Sequence, residues 1–167
     1  MSLDSLNELP QAEAEAEFLK CCGSTKWARA MTDTRPFASE QELFAAADRL
    51  LLTLEDEDWL EAFRAHPKIG EQKAATGQSH QEQKWSAQEQ SNFSAASAET
   101  KSELAKRNRE YEDRFGFIFI VCASGKSPDE MLAILNSRIH SDLRAELSIA
   151  AEEQRKITRL RLQKLLG

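Results

Sequence analysis

The chain is 167 residues long and carries 22 Lys and Arg against 28 Asp and Glu, a formal net charge of −6. That length suits one domain, residues 1–167, with a core that needs no disulfide or metal to hold it. The acidic balance argues against a general nucleic-acid or anionic-membrane binder, and no apolar run approaches the roughly eighteen residues of a membrane span. Along the chain almost every segment reads as helix, since Gly (6) and Pro (4) are both scarce. Pro10 opens an Ala- and Glu-rich helix that Gly23 stops, and Trp27 to Met31 is a short helical piece before the break at Thr34-Arg35-Pro36-Phe37. Ser39-Glu40-Gln41-Glu42 is a capping box ahead of apolar residues at helical spacing, Leu43 to Leu54. Four acids, Glu55 to Asp58, start the next helix, where the macrodipole favours them, and Pro67 ends it near His66.

Residues 68–85 form the longest polar stretch, read as a loop long enough to serve as a lid. Ser86-Ala87-Gln88-Glu89 is a second capping box, expected to open a long helix toward Arg114. The apolar run Phe115 to Ala123 is ambiguous, because periodicity alone does not separate it from a buried strand. Ser127-Pro128-Asp129-Glu130 is a third box, with proline at the first helical position, and a last helix runs from about Ser141 to Leu166. The expected class is an all-α, single-domain bundle of about six to eight helices.

Local signatures of chemistry are few. Cys21 and Cys22 are adjacent and Cys122 stands alone, so no CxxC pair exists; the odd set fits reduced thiols of a cytoplasmic protein better than a disulfide framework or zinc knuckle. The opening residues hold acids and Lys20 rather than a basic stretch before an apolar block, so no secretion signal is expected. His66, His80 and His140 show no metal-ligand spacing. His66 stands at a helix end broken by Pro67. There it either caps the last carbonyls or acts as an acid or base near neutrality. Glu89 either closes the capping box or, with Ser86 and Gln90, lines an open helix N-terminus that takes a polar or anionic ligand. Of the alternating pair Arg159 and Arg161, one faces solvent and the other can turn inward as a carboxylate clamp.

Taken together, Arg35-Pro36-Phe37, Ala62-Phe63-x-x-His66-Pro67-x-Ile69-Gly70, Ser86-x-x-Glu89-Gln90, Tyr111-x-x-x-Phe115-Gly116-Phe117-x-Phe119 and Lys156-Ile157-x-x-Leu160-Arg161-Leu162 resemble a known family. It is the 2-oxo-4-hydroxy-4-carboxy-5-ureidoimidazoline (OHCU) decarboxylases, and the motifs run in the family's order over nearly the whole chain. The resemblance implies an all-α homodimer that releases CO2 from a small ureide of urate breakdown, giving (S)-allantoin without a cofactor or metal. It implies His66 as the catalytic acid, Glu89 as the essential carboxylate and Arg161 as the arginine that engages substrate. It further implies substrate contacts from Pro67, from Ser86, Ala87, Gln88, Glu89 and Gln90, and from the backbone of Phe119, Ile120, Val121, Cys122 and Ala123, a stretch that is no strand in the family. Lys68 stands where many members carry Asp, and the closing Leu165-Leu166-Gly167 is not a peroxisomal Ser-Lys-Leu signal, so a cytoplasmic enzyme is expected. Two other readings compete: a helical interaction module without catalysis, and a cofactor-free hydrolase or hydratase of a related ureide. The decarboxylase reading requires His66, Glu89 and Arg161 to meet around one cavity.

Overall fold

The computed structural model describes residues 1–70 and 77–167. Among them are nine α-helices and one 3-10 turn and no strand: α1 (Leu3–Glu8), α2 (Gln11–Cys21), α3 (Thr25–Thr34), α4 (Glu40–Leu51), α5 (Asp56–Arg64), α6 (His80–Glu89), the turn Ser91–Ala95, α7 (Ala98–Phe115), α8 (Pro128–Arg138) and α9 (Leu143–Leu166). The all-α class holds. The count exceeds the pattern-based one because Ser2 caps a short first helix, its hydroxyl accepting from the Ser5 N–H, and because the expected long helix is two. No described helix is long and apolar enough to cross a membrane. The residues group into two compact units, Met1–Ala62 with Arg155–Gly167, and Phe63–Gln154.

In the first unit Phe18 meets Trp27 and Phe37 edge-on, with ring centroids 5.9 and 6.4 Å apart, and Trp27 Nε1 donates to the Ala47 carbonyl at 3.2 Å. Such offset aromatic contacts add to the burial energy. The Arg35-Pro36-Phe37 motif belongs to this architecture. Arg35 Nη1 donates to the carbonyls of Leu6 and Leu9, satisfying the open end of α1, while Asn7 and Phe37 exchange two bonds of 2.9 Å. Glu42 bonds back to the N–H of Ala38 rather than of Ser39, so the first box is shifted by one residue.

In the second unit the expected box at Ser86 is overturned. The helix begins seven residues earlier: Ser79 Oγ accepts from the Glu82 N–H, and Glu82 Oε2 accepts from the Ser79 N–H at 2.7 Å. Both Ser79-x-x-Glu82 and Ser86-x-x-Glu89 have the box spelling; Gly77, at φ 87°, releases the chain just ahead of the first, and the helix then runs through the second. Residues 80–85, expected in a loop, are therefore helical, and the rest of the proposed lid at 71–76 lies outside the described residues. Ser97 caps α7 instead, accepting from the Thr100 N–H, and Gly116 ends it at φ 79°. After Gly116 the chain runs as irregular backbone to the Ser127 box, which forms as expected with Pro128 at its first turn. Phe115, one helical turn after Tyr111 at the end of α7, and Phe117 and Phe119 beyond it all turn their rings to Tyr111, at 4.7, 5.9 and 5.4 Å.

Candidate active site

His66 follows the end of α5, its N–H bonded to the Phe63 carbonyl, and its ring Nε2 lies 2.6 Å from Oε1 of Gln154 on α9. Next along the chain, Pro67 is half-buried, and α7 holds the two residues after it. Asn108 Nδ2 donates to the Ile69 carbonyl at 3.1 Å, and Glu112, one turn on, pairs with Lys68 at 2.7 Å. The Lys68 ammonium is thus engaged by a carboxylate of α7. Gly70 N–H donates to Gln90 Oε1 at 2.8 Å.

Ser86, Glu89 and Gln90 are on the last turn of α6 and its cap, so the expected anion site at an open N-terminus does not exist: Gln90 N–H bonds to the Ser86 carbonyl, and this is the negative end of the helix. What the turn presents is one face. Ser86 is buried and Glu89 and Gln90 are half-buried, whereas Ala87 and Gln88 are exposed. Gln78 ties this face to the histidine loop, its Nε2 donating to Ser86 Oγ at 3.3 Å and to the Ala65 carbonyl at 3.1 Å.

The segment Phe119 to Ala123 is buried throughout. Three groups of its irregular backbone are met by side chains, since buried backbone needs partners. Arg138 Nη1 donates to the Ile120 carbonyl at 2.6 Å, Glu153 Oε2 accepts from the Cys122 N–H at 2.7 Å, and Lys126 Nζ donates to the Cys122 carbonyl at 2.6 Å. Arg138 is itself fixed. It lies over the Phe119 ring at 4.7 Å and pairs with Glu146, which is fully buried and also accepts from the Tyr111 hydroxyl. Burial, and then the bond to Glu146, push the Tyr111 hydroxyl far above its usual range. Burial also raises the Cys122 thiol; Lys126 opposes this, while the carboxylates of Glu153 and Glu89 add to it.

Two chains of contacts lead away from the histidine loop: His66 bonds to Gln154, whose neighbour Glu153 holds the Cys122 N–H, and the Ala65 carbonyl is joined through Gln78 to Ser86 on α6. The structure so gathers His66, Pro67, the inner face of α6 and the 119–123 backbone. Arg161 stands in the first unit, 3% exposed, its Nη1 donating to the Lys20 carbonyl at 3.2 Å, while Arg159 is exposed, with its guanidinium 4.9 Å from the Phe44 ring centroid. Sequence reasoning missed Gln78, Arg138, Glu153 and Gln154. A signal for one of them existed: Gln154, like Glu146, lies one turn from Ala150 on the stripe where apolar residues were expected, and both are fully buried.

The chain matches the family described as OHCU decarboxylase over residues 7–163. It is 40% identical over 153 residues to the uric acid degradation bifunctional protein TTL of Arabidopsis thaliana, covering 92% of this chain and 47% of that protein. It is 30% identical to the 2-oxo-4-hydroxy-4-carboxy-5-ureidoimidazoline decarboxylase of Haloferax volcanii, covering 97% and 94%. The chain thus spans about half the length of the Arabidopsis relative, and 32% of a bifunctional Bacillus one. A crystal structure of an OHCU decarboxylase in the presence of (S)-allantoin superposes with a TM-score of 0.76 at 39% identity, covering 90% of this chain and 96% of that one. On a match that runs nearly end to end, and on a shared all-helical fold, the chain belongs to the OHCU decarboxylase family.

Proposed function

We propose that this chain, as one domain over residues 1–167, is a carboxy-lyase that decarboxylates 2-oxo-4-hydroxy-4-carboxy-5-ureidoimidazoline to (S)-allantoin and CO2 in urate breakdown. Family membership supports the reaction; the hydrogen bonds that lead from the His66 loop to the 119–123 segment and to the inner face of α6 are the observation that supports the site.

The chemistry asks little of a cofactor. The carbon that bears the hydroxyl and carboxylate adjoins a ring C=N. When the carbon–carboxylate bond breaks and CO2 leaves, its electron pair forms a double bond to the carbon of that C=N, whose π pair passes to the nitrogen; the nitrogen takes a proton, and the product of this step is an enol. The enol then collapses: the hydroxyl loses its proton to become a carbonyl, and the neighbouring carbon takes a proton on one face. The protein supplies orientation, a dry environment for the carboxylate and the facial proton. His66 is the acid in this reading, and Glu89 holds the ring N–H groups. The face formed by Ser86, Glu89 and Gln90, with Ala87 and Gln88 adjoining it, seats the ureide together with Pro67. The backbone from Phe119 to Ala123 flanks the ring plane, because the Phe119 side chain is already committed to Tyr111 and Arg138. Arg161 offsets the substrate carboxylate, with the planar fork suited to that partner.

A homodimer in the cytoplasm completes the proposal; the three free, buried cysteines suit a reducing compartment. The deciding experiment generates the short-lived substrate from urate in situ and follows optical activity. Faster formation of optically active allantoin than the racemic background supports the reading, and a rate equal to background ends it. Light scattering on the eluting protein tests the dimer.

A further inference from the structure

The proposed reaction makes His66 an acid but leaves open which ring nitrogen works. We infer that Gln154 is the positioning residue for His66, holding its Nε2–H so that Nδ1 is the nitrogen that exchanges protons with substrate. The inference rests on the functional reading above for its catalytic consequence, and on geometry alone for the tautomer.

The geometry is direct. Gln154 Oε1 and His66 Nε2 are 2.6 Å apart, and an amide oxygen only accepts, so Nε2 must carry the hydrogen. In the neutral ring that leaves the lone pair on Nδ1, and in the imidazolium the proton available for transfer is the one on Nδ1. Gln154 is fully buried, on the stripe of α9 that also holds Ala150 and Glu146. A primary amide at such a position is costly unless its polar atoms are bonded, so a glutamine here needs a polar task. Its chain neighbour Glu153 holds the Cys122 N–H. Two consecutive residues of one rigid helix thus register both the imidazole and the 119–123 backbone, a more exact mounting than a loop provides.

The test uses protein labelled with 15N at histidine and a two-bond 1H–15N correlation recorded with the rings neutral. His80 and His140 are both exposed and serve as internal references, and His66→Asn assigns the His66 signals. The wild-type ring is expected as the Nε2–H tautomer. Gln154→Met, close in volume but without the oxygen, is expected to relax from a single tautomer toward the mixture shown by the exposed His80 and His140, and to lower kcat about 10–100-fold with KM little changed, the range seen when the partner that orients a metal-bound imidazole is removed. Gln154→Glu, which keeps an oxygen acceptor, is expected to retain the Nε2–H signal and to recover turnover relative to Gln154→Met. An Nδ1–H tautomer in the wild type overturns the assignment, as does an unchanged tautomer in Gln154→Met. Where Gln154→Met does not fold, the wild-type and Gln154→Glu spectra decide. Undiminished turnover in His66→Asn would instead overturn the functional reading, and the wild-type ring spectrum would still decide the tautomer.

Discussion

At the site, His66, Ser86 and Gln90 each have a neighbour that helps set their position. His66 illustrates the point: a helix broken by Pro67 delivers it, and Gln154 orients it. His66→Asn keeps a polar group of similar reach but loses the titrating nitrogen. The expected outcome is an unchanged melting temperature with kcat down about 10²–10⁴-fold, the usual contribution of a positioned acid or base, read in the coupled urate assay. Gly70 is a second case. It sits at φ 81°, and a Cβ there would stand 2.4 Å from Phe93 Cζ, while its N–H holds Gln90. The Phe93 ring can swing aside but the backbone angle stays costly for any L side chain. Gly70→Ala is therefore expected to destabilise by about 1–2 kcal/mol, measured by urea titration, and to loosen the Gln90 end of α6.

At the scale of elements, what matters is where α6 begins. Because Ser79 and Glu82 form the box, Ser79→Ala should cost about 0.5–2 kcal/mol. Glu89→Gln, in the last turn, should leave the denaturation midpoint in place and lower turnover. A midpoint drop for Glu89→Gln equal to that for Ser79→Ala would make Glu89 a support of the fold rather than of the substrate. The junction of α7, α8 and α9 is a second element-scale feature. Arg138 links the Ile120 carbonyl to Glu146, whose other carboxylate oxygen accepts no hydrogen bond among the described residues. Removing the cation leaves a buried carboxylate with the Tyr111 hydroxyl alone. Arg138→Met is expected to destabilise by about 3–5 kcal/mol, as breaking one side of a buried pair does, and Arg138→Met combined with Glu146→Leu to recover part of it. Thermal unfolding of the single and double variants checks this.

For the molecule as a whole, the buried thiols couple folding to alkaline pH. Burial pushes Cys22 up to about 11, although the Ser24 N–H and the Thr158 hydroxyl pull the other way. The folded chain therefore keeps the Cys22 proton that the unfolded chain releases near 9. The corresponding stability is complete below about 9 and is lost as pH rises through about 11. A shift of that size amounts to roughly 2–3 kcal/mol. The urea midpoint should fall over this window, and Cys22→Ala should flatten the fall; Cys21, raised still further by burial, stays protonated throughout it. A midpoint with the same alkaline slope in both proteins would remove Cys22 as the cause.

The helical class, most helix ends, the Ser127 box and the motifs carrying the family resemblance were all legible in the amino-acid order, because they depend on propensity, capping and spacing within a few residues. The choice between Ser79 and Ser86 as the start of α6 was not, since both spell the same box and only the turn released at Gly77 separates them. Periodicity left the apolar run to Ala123 open and only the family resemblance spoke against a strand; after Gly116 the run is irregular, with Arg138, Glu153 and Lys126 bonded to the backbone of Ile120 and Cys122. The pairing of His66 with Gln154 spans 88 positions. Local rules are silent at that range, and packing alone decided that a glutamine on the buried stripe of α9 should face an imidazole.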